Sequence, residues 1–258
     1  MVAMRIVAID WSGKLKRAEE ALWLAEVREG HLVGLTSGLS RPELVARLIE
    51  MAHEDARMVV GLDFAFSFPR WWCVKRSWST GREVWSGIDA EGEYLLATCE
   101  PPLWGRPGKP NPHSKEQLFR RTDLEDGVGG AKSVFQIGGA GAVGTGSIRG
   151  MPHLLTLADS GFTVWPFEPG GLPTVVEIYP RALTGSVNKG RWADRHAFLL
   201  DRFPEQPRDL IERAAGSEDA FDAAVSALVM GAHVAKLETL PSLSDDVYRI
   251  EGKIWRPM

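Results

Sequence analysis

Several stretches of this sequence set an acid inside a run that is otherwise apolar. Met4–Asp10 (MRIVAID) ends at Asp10, and Met58–Ala65 (MVVGLDFA) carries Asp63 near its end. Thr174–Tyr179 (TVVEIY) is interrupted by Glu177, and EDAFDAAVSALV places Asp219 and Asp222 at the start of a helical pattern. The i, i+3 spacing puts those two on one side of the helix, with Asp222 bordering the apolar arc. A buried carboxylate is costly unless it is paired, protonated or metal-bound, and several together also repel one another. A divalent cation removes both penalties, and carboxylate-bound metal pairs recur in phosphodiester cleavage. Each acid also has an ordinary reading. Asp10 and Asp63 can start turns, Glu177 can pair with Arg181 or Arg191, and Glu218 with Asp219 suits the positive end of a helix. The joint pattern points to a shared site.

The order of elements places these acids. Met4–Asp10 shows no polar alternation, which predicts a strand buried on both faces. Ala21–Val27 and His31–Leu35 follow as strands around a break at Glu29-Gly30. Ser40 with Glu43 forms a capping box ahead of a helix through Leu44, Leu48 and Met51. Met58–Ala65 is the fourth strand. This order predicts a mixed sheet with helices packed on it. Further on, the sequence predicts a helix over Met151–Ser160, strands at Phe162–Phe167 and Thr174–Tyr179, and helices around 191–202 and 207–215. A last helix is expected over roughly 218–236, followed by a hairpin around Glu251-Gly252.

Residues 67–150 differ from the rest, being rich in Gly, Pro, Trp and Arg with little sustained periodicity. They read as one ordered insertion between strands four and five of a single domain spanning 1–258. Arg70, Lys75 and Arg76 are interleaved with Trp71, Trp72 and Trp78, a pattern that can hold single-stranded nucleic acid. The alternative is that the rings pack the insertion onto the sheet. A second basic stretch runs from Arg106 to Arg120 and Arg121, and Lys14 follows Asp10 in IDWSGK. The Gly-rich 138–144 is not a P-loop; it reads as a loop approaching the site closely. A net charge of −4 excludes a wholly basic nucleic-acid coat protein. No apolar run approaches a membrane span. The opening stretch lacks signal-peptide features, and the cysteines, Cys73 and Cys99, suit a reducing compartment. A cytoplasmic protein with no membrane partner is expected.

The order of strands and acids resembles the ribonuclease H-like superfold, and EDAFDAAVSAL is similar to the last-helix motif of RuvC-type resolvases. At finer resolution AIDWSG, GLDFAFSFP, FQIGGAGAVGTGS, WPFE, VVEIYP and EDAFDAAVSALV together resemble family 429 of the domains of unknown function (DUF429), described as RNase H-like nucleases. The resemblance covers essentially the whole chain. It implies an α/β fold with a five-stranded mixed sheet, three antiparallel strands then parallel ones, flanked by helices. It also implies a metal-dependent nuclease acting on DNA or RNA with Mg²⁺ or Mn²⁺, two ions in all. Asp10, Asp63, Asp219 and Asp222 match the nuclease acids as catalytic and metal-binding residues, and Glu177 matches the strand motif. Asp219 stands where some resolvases carry His. Lys14, Arg70, Lys75, Arg76, Arg120 and Arg121 are the candidates for the substrate backbone. Two other functions compete: an ATP-dependent phosphotransferase or ATPase of the same superfold, since IDWSGK resembles a first phosphate loop, and a non-catalytic nucleic-acid-binding module.

Overall fold

Strand β1 (Arg5–Asp10) is buried on both faces, as its unbroken apolar run requires. The chain continues through β2 (Trp23–Arg28), β3 (His31–Thr36), α1 (Arg41–Glu54) and β4 (Met58–Leu62). Then come α2 (Arg70–Lys75), α3 (Gly81–Thr98), α4 (Lys115–Leu118) and α5 (Gly144–Asp159). The remainder is β5 (Thr163–Val164), β6 (Thr174–Glu177), α6 (Pro180–Thr184), α7 (Trp192–Arg202), α8 (Arg208–Ala215), α9 (Glu218–Gly231), α10 (Val234–Glu238) and α11 (Asp246–Glu251). This computed structural model describes residues 4–257; residues 1–3 and 258, the outer ends of the opening stretch and of the tail, lie outside the described residues. None of the described helices is long and apolar enough to cross a membrane.

The strands form one sheet in the order β3-β2-β1-β4-β6-β5. β1, β2 and β3 pair antiparallel, while β1–β4, β4–β6 and β6–β5 pair parallel. The sheet therefore has six strands rather than the five the resemblance implies; the strand expected at Phe162–Phe167 is present as the short parallel edge Thr163–Val164 beside β6.

Side chains alternate along each strand and so divide the core in two. Val7, Ile9, Val60 and Leu62 join α1, α3 and α5 on one side. Ile6, Ala8, Val59 and Val176 join α7, α8 and α9 on the other. The second layer is tight. A Cβ on Gly61 would lie 2.7 Å from Met230 Sδ and 2.9 Å from Ile178 Cγ2, so only glycine lets the end of α9 and Ile178 close over β4. The Ser40–Glu43 capping box is present, with Ser40 N–H donating to Glu43 Oε2 at 2.9 Å.

Four expectations are corrected. The insertion holds an 18-residue helix, α3, capped by Thr80 and packed against α5. Its periodicity was masked by Gly87 and Gly92, which make room for the Trp78 ring and Ile148. Helix α5 starts at Gly144, inside the Gly-rich stretch, rather than at Met151. The tail is not a hairpin: α11 ends at Glu251, Gly252 takes φ +80° as its cap, and Ile254 bridges to Glu177. The last long helix is also shorter than expected, ending at Gly231 before the separate turn α10.

Candidate active site

The parallel register sets Ile9 against Leu62, so the next residues, Asp10 and Asp63, emerge side by side at the carboxyl ends of β1 and β4. The ladder continues one step beyond β4, with Asp63 N–H donating to Ile9 O at 3.1 Å. Asp10 follows Ile6 and Ala8, and Asp63 follows Val59 and Gly61. The period of two thus turns both carboxylates towards the α9 layer. Helix α9 is capped by Ser217 Oγ, which accepts from Ala220 N–H at 3.0 Å. It crosses β1 and β2 on a face of small residues, including Ala220, Ala223, Ala224 and Ala227. Its first turns bring Asp219 and Asp222 to the same place.

The four carboxylates feel one another. Burial, then Asp63, Asp222 and Asp219, push the Asp10 carboxyl well above the usual carboxylate range. Asp63 is raised well above that range by burial and by Asp222. Asp219 and Asp222 are raised as well, again chiefly by burial. Burial and neighbouring charges are the leading causes at both Asp10 and Asp63. Opposing this rise is Lys189, in the loop between α6 and α7, whose charge lowers Asp10, Asp63 and Asp222. Its Nζ stands 2.6 Å from Asp222 Oδ1 and 2.8 Å from Oδ2. Asp222 Oδ1 is buried and accepts no well-directed hydrogen bond, so that contact is ionic. The exposed Lys14 lowers Asp219 in the same sense.

All four donors are hard carboxylate oxygens, the chemistry that suits Mg²⁺ or Mn²⁺. Among the described residues, no three His, Cys, Asp or Glu side chains close on a common point tightly enough to hold an ion as they stand. The cluster fits a metal by donor type and by its unmet charge, while the ligand cage is open.

A cleft of about 150 Å³ opens beside Asp63, lined by Trp11, Gly13, Val143, Gly146 and Tyr179, with Arg120, Asp123 and Glu177 in its wall. The Gly-rich stretch reaches this place as the first turn of α5. A Cβ on Gly13 would fall 2.4 Å from Gly146 N, so the loop after β1 lies directly on that turn. Arg41 donates to Ser12 O at 2.6 Å and to Lys14 O at 2.5 Å, and Arg149 holds Gly13 O. Burial pushes the Arg41 pKa down, and Arg149 adds to the effect.

Glu177 is not drawn into the carboxylate cluster. It shares the parity of Val175 and so points to the layer opposite α9. There its oxygens accept from Arg120 Nη2 at 2.5 Å and Nη1 at 2.7 Å, and from Phe66 N–H at 3.0 Å. The partner is thus Arg120, not the Arg181 or Arg191 considered from sequence. Arg120 itself is 2% exposed and also holds Asp123, so its guanidinium is engaged inside the wall of the cleft rather than open to a substrate backbone. Burial opposes the Arg120 charge, but Asp123 and Glu177 outweigh it and hold the guanidinium well above its usual pKa.

The other basic candidates lie elsewhere. Trp72 is buried, and Trp71 and Trp78 pack with Trp72 and Phe135, so the rings serve the core of the insertion. Arg76 pairs with Glu91 and lies over the Trp72 and Trp78 rings. Lys75 is exposed at the end of α2, and Arg70 N–H donates to Glu251 Oε1 at 2.6 Å. Arg121 pairs with Asp245 and stacks on Tyr248. None of Arg70, Lys75, Arg76 and Arg121 lines the cleft beside Asp63.

Two residues that sequence reasoning passed over stand at the site. Tyr179, raised above its usual pKa by burial and Asp63, lines the cleft and donates to Gly130 O at 3.1 Å. Lys189 sits in a polar loop with no periodic pattern. The signal that asks for it is indirect, since a cluster of acids needs a cation. Comparison of the chain with protein families, with curated proteins and with solved structures found no match.

Proposed function

We propose that this chain is a metal-dependent nuclease of ribonuclease H-like architecture, related to family 429 of the domains of unknown function. The observation that carries the reading is the convergence of Asp10, Asp63, Asp219 and Asp222 from two adjacent parallel strand ends and one helix. Asp10 ends the first of three antiparallel strands, and Asp63 follows the parallel fourth strand after an intervening helix, in the order the resemblance implies. Asp10 and Asp63 would hold Mg²⁺ or Mn²⁺, with Asp222 beside them and Asp219 at the outer side of the set. Such an ion supplies a nucleophilic water at neutral pH and charge stabilisation of the leaving oxygen.

This chain's own residues do the rest. Burial and mutual repulsion keep the carboxylates primed for a cation. Arg41 and Arg149 hold the loop carrying Ser12 and Gly13 against α5, fixing one wall of the cleft. The first turn of α5 points the positive end of a helix towards the cleft, where a phosphate would enter. Lys14 and Lys132 supply positive charge near the site. Glu177 and Arg120 set the opposite wall rather than taking part in bond cleavage.

The test is cleavage of single- and double-stranded DNA and RNA with and without Mn²⁺. Asp10→Asn and Asp63→Asn should each abolish turnover while the fold, followed by circular dichroism, is retained. Unchanged cleavage in both variants would remove the assignment. The phosphotransferase alternative has less support, because those enzymes normally close two such sheets on a nucleotide and the described residues form one.

A further inference from the structure

We infer that Lys189 is a built-in cation of the carboxylate cluster: its ammonium takes the place on Asp222 that a second divalent ion would occupy, so the site binds a single ion. This inference rests on the metal-dependent reading above and deepens it. Both Asp222 oxygens lie within 2.8 Å of Nζ, so the ammonium straddles the carboxylate at the position a bidentate cation would take. The lysine side chain is 15% exposed, and its charge is felt at Asp10 and Asp63 as well as at Asp222. It acts on the cluster as an ion would.

The position is built rather than casual. Lys189 O accepts from the guanidinium of Arg195, and the same guanidinium donates to Ala215 O at 2.9 and 2.7 Å. Arg195 is buried. Ala215 lies two residues before Ser217, the cap of α9. One buried arginine therefore fixes the lysine loop and the start of the acid-bearing helix relative to each other. A long lysine on a free surface would surrender rotamer freedom to reach this geometry; here its backbone is already held. A divalent ion seated on Asp222 would meet the ammonium at close range, with twice the repulsion of two unit charges. One divalent ion shared by Asp10 and Asp63, with Lys189 on Asp222, avoids that encounter.

The test uses the full chain with Mn²⁺ alone, counting bound ions by isothermal titration and by electron paramagnetic resonance, where two neighbouring ions give a coupled spectrum. The wild type should bind one ion with an uncoupled spectrum, Lys189→Arg should do the same, and Lys189→Met should bind two. Two ions on the wild type would overturn the lysine assignment and leave the metal-dependent reading standing. One ion on Lys189→Met would overturn it too, while no ion on any form would overturn both. If Lys189→Met does not fold, the wild type still decides, through reductive methylation followed by mass spectrometry. Lys189 should react at least about tenfold more slowly than the exposed Lys16, the factor about 1.4 kcal/mol of ion pairing imposes, with or without saturating Mn²⁺. Reaction at the Lys16 rate once Mn²⁺ is added would show the lysine displaced, and the inference would be wrong.

Discussion

Replacing Arg120 by Met tests whether the wall of the cleft is a structural brace or a substrate contact. Nε donates to Asp123 Oδ2 at 3.2 Å, and Nη1 to Glu177 Oε2 at 2.7 Å and Glu251 O at 3.2 Å. Nη2 donates to Asp123 Oδ1 at 2.8 Å and Glu177 Oε1 at 2.5 Å. All the N–H directions of the guanidinium are used, and the Arg120, Asp123 and Glu177 side chains are 2%, 4% and 3% exposed. Removing the cation leaves two buried carboxylates without their partner. Breaking a buried pair in this way costs about 3–5 kcal/mol. At an unfolding entropy of about 2.1 cal/mol/K per residue, a chain of 258 residues loses roughly 2 °C of Tm for each kcal/mol. The variant should therefore melt about 6–9 °C below the wild type. The sign of its pH dependence follows from the stranded carboxyls. The Glu177 carboxyl, already raised by burial, rises further once its cation is gone, the folded protein then holds more protons than the unfolded one, and stability falls as pH rises above about 4. Scanning calorimetry at pH 5 and pH 7.5 should show the smaller deficit at pH 5. Adding Glu177→Met and Asp123→Leu should recover most of the loss, because an apolar cluster of similar volume no longer buries a charge. A deficit below about 1 kcal/mol at pH 7.5 would refute the brace. So would loss of cleavage well below Tm in a variant whose Tm is unchanged, since Arg120 would then be acting on substrate.

Two further outcomes follow from the site. Since the Asp10 and Asp63 carboxyls are raised well above the usual range, their ionised forms weigh against folding as pH rises above the unfolded value of about 3.9; Asp10→Asn and Asp63→Asn should each raise Tm at pH 8 and lose that advantage near pH 4, and a lower Tm at pH 8 would contradict the electrostatics. Gly13→Ala sets a Cβ 2.4 Å from Gly146 N, a backbone neighbour that cannot rotate away; the loop should move off α5 at about 1–3 kcal/mol, read by urea unfolding, and a cost near zero would mean the contact is looser than described.

The strand-borne acids were legible because β1 and β4 are continuous apolar runs, and the parallel pairing of two such runs leaves their terminal residues adjacent. The side each acid faces was equally present in the sequence but unused. Counting by twos from Val175 and from Ala8 separates Glu177 from Asp10, since the neighbouring apolar residues declare which layer they serve. Helix α3 stayed hidden because Gly87 and Gly92 interrupt its apolar period, being the gaps into which Trp78 and Ile148 fit. The Glu251-Gly252 pair read as a hairpin turn; a glycine at positive φ serves as well to end a helix, and local residues do not separate the two uses. Lys189 and Arg120 were beyond local reading. Each meets its partner across dozens of residues of chain, 33 for Lys189 to Asp222 and 57 for Arg120 to Glu177, and no periodicity spans such distances.

The insertion leaves the sheet just after Asp63 and comes back as α5 against Gly13, with Ser147 Oγ accepting from Ala65 N–H at 3.0 Å where the two ends meet. Its departure and its return are thus both pinned at the mouth of the carboxylate cleft. A segment tethered in that manner, and braced to β6 through Arg120, can change at its exposed turns without disturbing a single rung of the strand ladder. Every such change would still be delivered to the ground a substrate crosses. Chemistry and choice of substrate would then be inherited separately, the first with the strands and α9, the second with the excursion that starts and finishes beside them.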